Sequence, residues 1–151
     1  MKMRARLLRT SAVFLLAPLP CLALAGETLG ELKAKAAKAS GGEQAILCSR
    51  VAREDVELAN QHFTDGKVAE GHAAVRDAVA YAEKARDAAR NSKKKLKQTE
   101  MAIRKTARRL NDIGKTLAID DRPAVEQAVK ELQQIQDQLL EAMFGPGKRQ
   151  P

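Results

Sequence analysis

From Val68 onward every seventh residue is apolar: Val68, Val75, Ala82, Ala89, Leu96, Ile103, Leu110 and Leu117. Three places after each comes a mostly small residue: Gly71, Ala78, Ala85, Ser92, Thr99, Thr106 and Ile113. This is a heptad with a hydrophobic first position and a small fourth one, which lets a partner backbone approach closely. Its phase is unbroken from Val68 to Leu117 and predicts one long central helix over 67–118, which at 1.5 Å per residue would reach about 75 Å. The weak point is Asn91-Ser92-Lys93-Lys94-Lys95. Ser92 can cap a new helix, although three lysines in a first turn oppose the positive end of the helix dipole. A break there would instead give an up-down-up-down four-helix bundle.

The flanking segments are helical as well. Cys48, Ala52, Val56, Ala59 and Phe63, widened by Val51 and Leu58, make an apolar stripe at helical spacing over 43–63. Thr64-Asp65-Gly66 ends it in a tight turn, so the next helix is an antiparallel neighbour. Ile119-Asp120-Asp121-Arg122-Pro123 is a stop and restart, since Asp caps and Pro suits a first helical turn. A last helix over 122–144 carries Val125, Ala128, Leu132, Ile135, Leu139 and Ala142. Gly145-Pro146-Gly147 closes it, and 145–151 is expected to be a disordered tail. Residues 26–42, with Gly41-Gly42 at their end, read as a flexible arm or weak helix. The class is therefore all-α, built from antiparallel helical hairpins with one long central helix.

The first 25 residues change the charge and the compartment. Lys2, Arg4, Arg6 and Arg9 precede a short apolar run, Ala12–Leu19, and Ala23-Leu24-Ala25 offers small residues for cleavage. That order predicts a cleavable signal peptide over 1–25 and a periplasmic or secreted mature protein. The run is too short, and too interrupted by Pro18 and Pro20, to span a membrane. Pro20 before Cys21 also argues against a lipid-modified cysteine. Cleavage lowers the basic count from 27 to 23 against 19 acids, so the net charge falls from +8 to +4. It leaves Cys48 alone, which excludes an intrachain disulfide. Cys48 reads as a small buried hydrophobe, or as a bond to a second chain.

With no Trp, one Tyr and two Phe after cleavage, the core is thin and alanine-rich. It suits closely packed helices better than a deep pocket. No glycine-rich phosphate loop, nucleophile elbow or paired carboxylates appear, so the reading is non-catalytic, without cofactor. Between Glu83 and Arg109 eleven basic residues stand against three acidic ones. Lys93, Lys94, Lys95, Lys97, Arg104 and Arg108 are the candidates for an anionic partner, whether a protein or an anionic component of the cell envelope. The competing reading is a solvated, partly neutralised face. Nucleic acid is not expected, because no aromatics interleave the lysines as stacking platforms. His62, Asp65, Glu70 and His72 gather around the first turn, but their spacing matches no helical histidine pair, and no metal is assigned.

Residues 51–85 resemble a tetratricopeptide-repeat unit, with Ala59, Phe63, Gly66, Val68 and Ala78 near that repeat's small, aromatic, turn-glycine, aromatic and second-helix alanine positions. The resemblance implies a helix hairpin of the kind that recognises peptides or partner helices. Its turn is one residue short, Val68 replaces the usual aromatic, Gly71 the usual alanine, and no second copy follows at the 34-residue period. The whole chain resembles small, secreted, helix-rich bacterial proteins, a likeness that carries no activity. Together these features predict an interaction or scaffold protein that binds through a helix face, with homodimerisation open. The alternative is a soluble carrier or chaperone-like four-helix bundle that sequesters a ligand.

Overall fold

A helix of the full heptad length would carry its apolar stripe past the reach of its neighbours. The chain instead folds back on itself and buries it. The computed structural model describes residues 26–145; the expected signal peptide and the tail beyond Gly145 lie outside the described residues. Among these the chain forms five α-helices and no strand: α1 Leu29–Lys38, α2 Gly41–Thr64, α3 Val68–Ser92, α4 Leu96–Thr116 and α5 Arg122–Phe144, with a 3-10 turn at Ile119–Asp121. The fold is all-α. No described helix is long and apolar enough to cross a membrane.

The single long helix over 67–118 is corrected to two, α3 and α4, separated by Lys93–Lys95. Ser92 Oγ donates to Ala88 O at 2.7 Å, and Lys93 N–H bonds Arg90 O, which closes the last turn of α3. Lys93 and Lys95 then take left-handed conformations, φ 55° and 61°. The heptad survives the break because each half presents its own stripe to the same core: Val75, Ala82, Ala89, Ile103 and Leu110 are all buried.

The four long helices alternate in direction, as in the up-down-up-down alternative, but chain neighbours are not all spatial neighbours. α2 and α3 form one antiparallel hairpin and α4 and α5 another. The hairpins lie side by side, first helix along first and second along second. Glu57 and Arg109 join α2 to α4, and Arg86 and Gln138 join α3 to α5.

The two hairpins bury equivalent positions. Cys48, Ser49, Ala52, Asp55, Val56 and Ala59 of α2 match Thr99, Glu100, Ile103, Thr106, Ala107 and Leu110 of α4, each 51 residues on. Val75, Ala78, Val79, Ala82, Ala85 and Ala89 of α3 match Val125, Ala128, Val129, Leu132, Ile135 and Leu139 of α5, each 50 residues on. The pattern Ala-Val-x-x-Ala-Val occurs at 74–79 and again at 124–129. The fold is thus a repeated hairpin in which the second copy supplies the bulky aliphatics and the first mostly alanine. Burying each of those leucines or isoleucines contributes about 1.5–3 kcal/mol.

Residues 26–42 hold α1, opened by a capping box in which Thr28 Oγ1 accepts from Glu31 N–H and Glu31 Oε2 accepts from Thr28 N–H. Leu32 and Ala36 pack on Cys48, Val51 and Ala85 in a small cluster apart from the main core. At the far end, the Phe63 ring occupies the space that a side chain on Gly71 would need; an added Cβ would lie 2.5 Å from it. Arg122 donates to Leu117 O and Lys115 O, which covers the carbonyls that α4 leaves open.

Candidate functional site

The break between α3 and α4 turns the basic stretch from a stripe into a tip. Lys93, Lys94 and Lys95 form the turn itself, and Lys97 lies in the first turn of α4, which has no acidic residue. All four are exposed, and none forms an ion pair with another described residue. Gly42 lets this turn seat against α2, since a Cβ on it would come within 2.9 Å of Lys94 Cβ and Lys95 Cγ. Helices both begin and end here, so their backbone dipoles oppose one another. The charge at the tip comes from side chains.

Lys38 and Arg90, both exposed, adjoin this end through the α1–α2 connection and the last turn of α3; only Glu43 and Glu141 oppose them in the flanking turns. The opposite end has Asp65, Glu70, Asp120 and Asp121 against Lys67, Lys115 and Arg122. Charge is therefore polarised along the bundle, strongly basic at the α3–α4 turn and nearly balanced at the other end.

Arg104 and Arg108 are not part of the tip. Gln133, Gln136, Arg104 and Arg108 line a groove of about 250 Å³ between α4 and α5. Arg104 lies 3.7 Å from the buried carboxylate of Glu100, which also accepts from Gln136 Nε2 at 3.0 Å. The six candidates thus divide into four free lysines at one end and two arginines on a flank.

His62, Asp65, Glu70 and His72 are not drawn together; among the described residues no three His, Cys, Asp or Glu side chains group to hold a metal. His72 meets Phe63 edge-on, ring centroids 5.2 Å apart, with its Nε2 4.0 Å from Asp121 Oδ1. Cys48 is 2% exposed beneath α1, and burial pushes its thiol above the ordinary value while Lys84 opposes that shift. A bond from this thiol to a second chain would require α1 to move away.

Three features were not reached by sequence reasoning. Asp55, fully buried, is met by Lys33 of α1 at 3.0 Å. A groove of about 260 Å³ between α2 and α4 has Met101 and Ala102 beside Arg50, Arg53 and Lys105. Phe144, 65% exposed, lies at the basic end. The Gln136–Glu100 hydrogen bond sets the level of Phe144: eight residues carry α5 about 12 Å further, past the first residue of α4 and level with the lysine turn. No family model, curated protein or solved structure matches the chain.

Proposed function

We propose that this is a non-catalytic helical interaction protein, working outside the cytoplasm, that presents its lysine tip to an anionic partner. One observation carries the reading: Lys93 and Lys95 occupy left-handed backbone positions that glycine or asparagine would adopt at less cost. Strain held by an exposed, unpaired cation points to a use for the charge rather than for the turn. A merely solvated face would have its lysines on unstrained helix surface.

The test is binding of the chain from residue 26 to soluble poly-L-glutamate at low and moderate salt, followed by light scattering and anisotropy. The wild type should bind with strong salt dependence. The quadruple variant K93E/K94E/K95E/K97E should keep its helical circular dichroism and lose the binding. Equal binding by the two proteins would remove the tip from the function.

A carrier role has a narrower basis, the α2–α4 groove, where an apolar floor at Met101 and Ala102 lies under three cations. It predicts that an anionic amphiphile raises the melting temperature, and that M101E cancels the rise.

A further inference from the structure

We infer that the lysine tip docks on the surface of an anionic phospholipid bilayer, with Phe144 entering the headgroup layer; this rests on the reading of the tip as an anion-binding end. Three relationships point to a bilayer rather than to an acidic protein. The first is shape. Lys93–Lys95 occupy an exposed turn at the end of the bundle, while the α2–α4 and α3–α5 grooves run along its sides and contain none of the four tip lysines. An exposed end whose lysines line neither groove fits a broad charged plane better than a single enclosed ligand.

The second is the kind of cation. All four are lysines, compact point charges on flexible stems without the planar fork that arginine brings to a defined carboxylate. They suit many loosely placed phosphates. Of the arginines, Arg86 is engaged with Asp87 and Gln138 and Arg104 with Glu100, and Arg90 alone joins the lysines as an exposed guanidinium.

Third, a large aromatic side chain stands exposed at the same level. Phe144 is 65% exposed on the last turn of α5. An unpaired aromatic among cations is the combination that lies in a membrane interface, the ring among headgroups and the charges on phosphates. The far end, nearly balanced in charge, would then point away from the membrane.

The chain contains no tryptophan, so F144W places a single fluorescent reporter at the tip. The protein from residue 26 is mixed with vesicles of phosphatidylcholine alone, and with vesicles containing one-third phosphatidylglycerol. Binding is followed by co-sedimentation for the wild type and by indole emission for F144W. The expected result is binding to the anionic vesicles with a blue shift of the F144W emission, and at least tenfold weaker binding to the zwitterionic ones. K93E/K94E/K95E/K97E should weaken it at least a hundredfold, given about fivefold per lysine. F144S should weaken it several-fold while leaving poly-L-glutamate binding unchanged. Should the glutamates disturb the fold, K93G/K95G removes two charges from a relaxed turn and should weaken binding more than tenfold. Failure to bind anionic vesicles at low salt, binding that survives the lysine changes, or an unshifted F144W emission in the bound state would overturn the inference. Lysine-dependent binding to poly-L-glutamate without vesicle binding would overturn the membrane assignment and leave the anion-binding tip standing. Binding to neither would remove both.

Discussion

Asp55 of α2 is wholly buried, and the ammonium of Lys33, 3.0 Å away on α1, is its charged partner. Neither carboxylate oxygen makes a well-aligned hydrogen bond. The pair therefore clamps α1 over Cys48 and Val51 by charge more than by directed bonding. Lys33 also lies 3.5 Å from Asp77 and 5.2 Å from the centre of the Tyr81 ring, so one side chain ties α1 to both helices of the first hairpin.

Removing Lys33 leaves a buried carboxylate without compensation. K33M should destabilise the protein by about 3 kcal/mol, less whatever is recovered by protonating Asp55 or releasing α1. The double change K33M/D55L should restore much of it. Chemical denaturation measures the loss, and faster amide exchange over 29–38 in K33M would show that it begins at α1.

The same pair makes stability depend on pH on the alkaline side. Partial burial opposes the charge on Lys33, but Asp55 and Asp77 outweigh it and hold the ammonium above its ordinary 10.5. Burial pushes the Asp55 carboxyl up, against the pull of Lys33. A raised folded-state value contributes stability that is complete below the unfolded value and is lost as pH climbs through the folded one. For Lys33, melting temperature should therefore fall above about pH 10.5 more steeply in the wild type than in K33M. Parallel curves for the two proteins would remove Lys33 from this role.

Glu57 works in the opposite direction. Arg109 grips it with two hydrogen bonds, 2.8 and 2.9 Å, and holds its carboxyl below the ordinary 4.5. That contribution is present above pH 4.5 and is lost as pH falls through the depressed value. Both side chains are more than a third exposed, so solvent and salt screening keep it below about 1 kcal/mol. E57Q should flatten this part of the acid melting curve slightly at low salt and indistinguishably at high salt.

G71A should cost about 1–3 kcal/mol, because the new methyl meets the Phe63 ring. F63L should relieve most of that loss. A double-mutant cycle with no coupling between the two positions would show that the ring moves aside freely.

The strained turn yields a prediction of opposite sign. K93G and K95G should each stabilise the protein by about 1 kcal/mol, since glycine takes φ near +60° without penalty. The combined change should raise the melting temperature by several degrees while weakening anion binding. A melting temperature that falls would mean that the lysine side chains hold the turn together.

Much of this arrangement is legible in the chain. Of the stripe from Val75 to Leu110, Val75, Ala82, Ala89, Ile103 and Leu110 are buried as their spacing requires and Leu96 is partly buried, and the turns at Asp65-Gly66 and Asp120–Pro123 carry the residues that make turns. The break after Ser92 shows in the sequence only as a weak point, because Lys93–Lys95 contain neither Gly nor Pro and the heptad continues across them. The signal that reveals it is the repeated Ala-Val-x-x-Ala-Val, 50 residues apart at 74–79 and 124–129, which marks two hairpins where the heptad alone predicts one helix. The four tip lysines are close neighbours in sequence, so their grouping needs no fold to be seen. Only the fold separates Arg104 and Arg108 from them, or brings Phe144 level with them. The Lys33–Asp55 contact joins residues on different helices and leaves no periodic trace.

The unequal filling of the two hairpins divides the molecule's tolerance to mutation. Positions 82, 85 and 89 are alanine in the first hairpin, where 132, 135 and 139 in the second are leucine or isoleucine. The first half is injured by added volume, the second by volume removed. A scan of all substitutions would show two complementary maps of damage, one per hairpin, over positions that the backbone treats as the same.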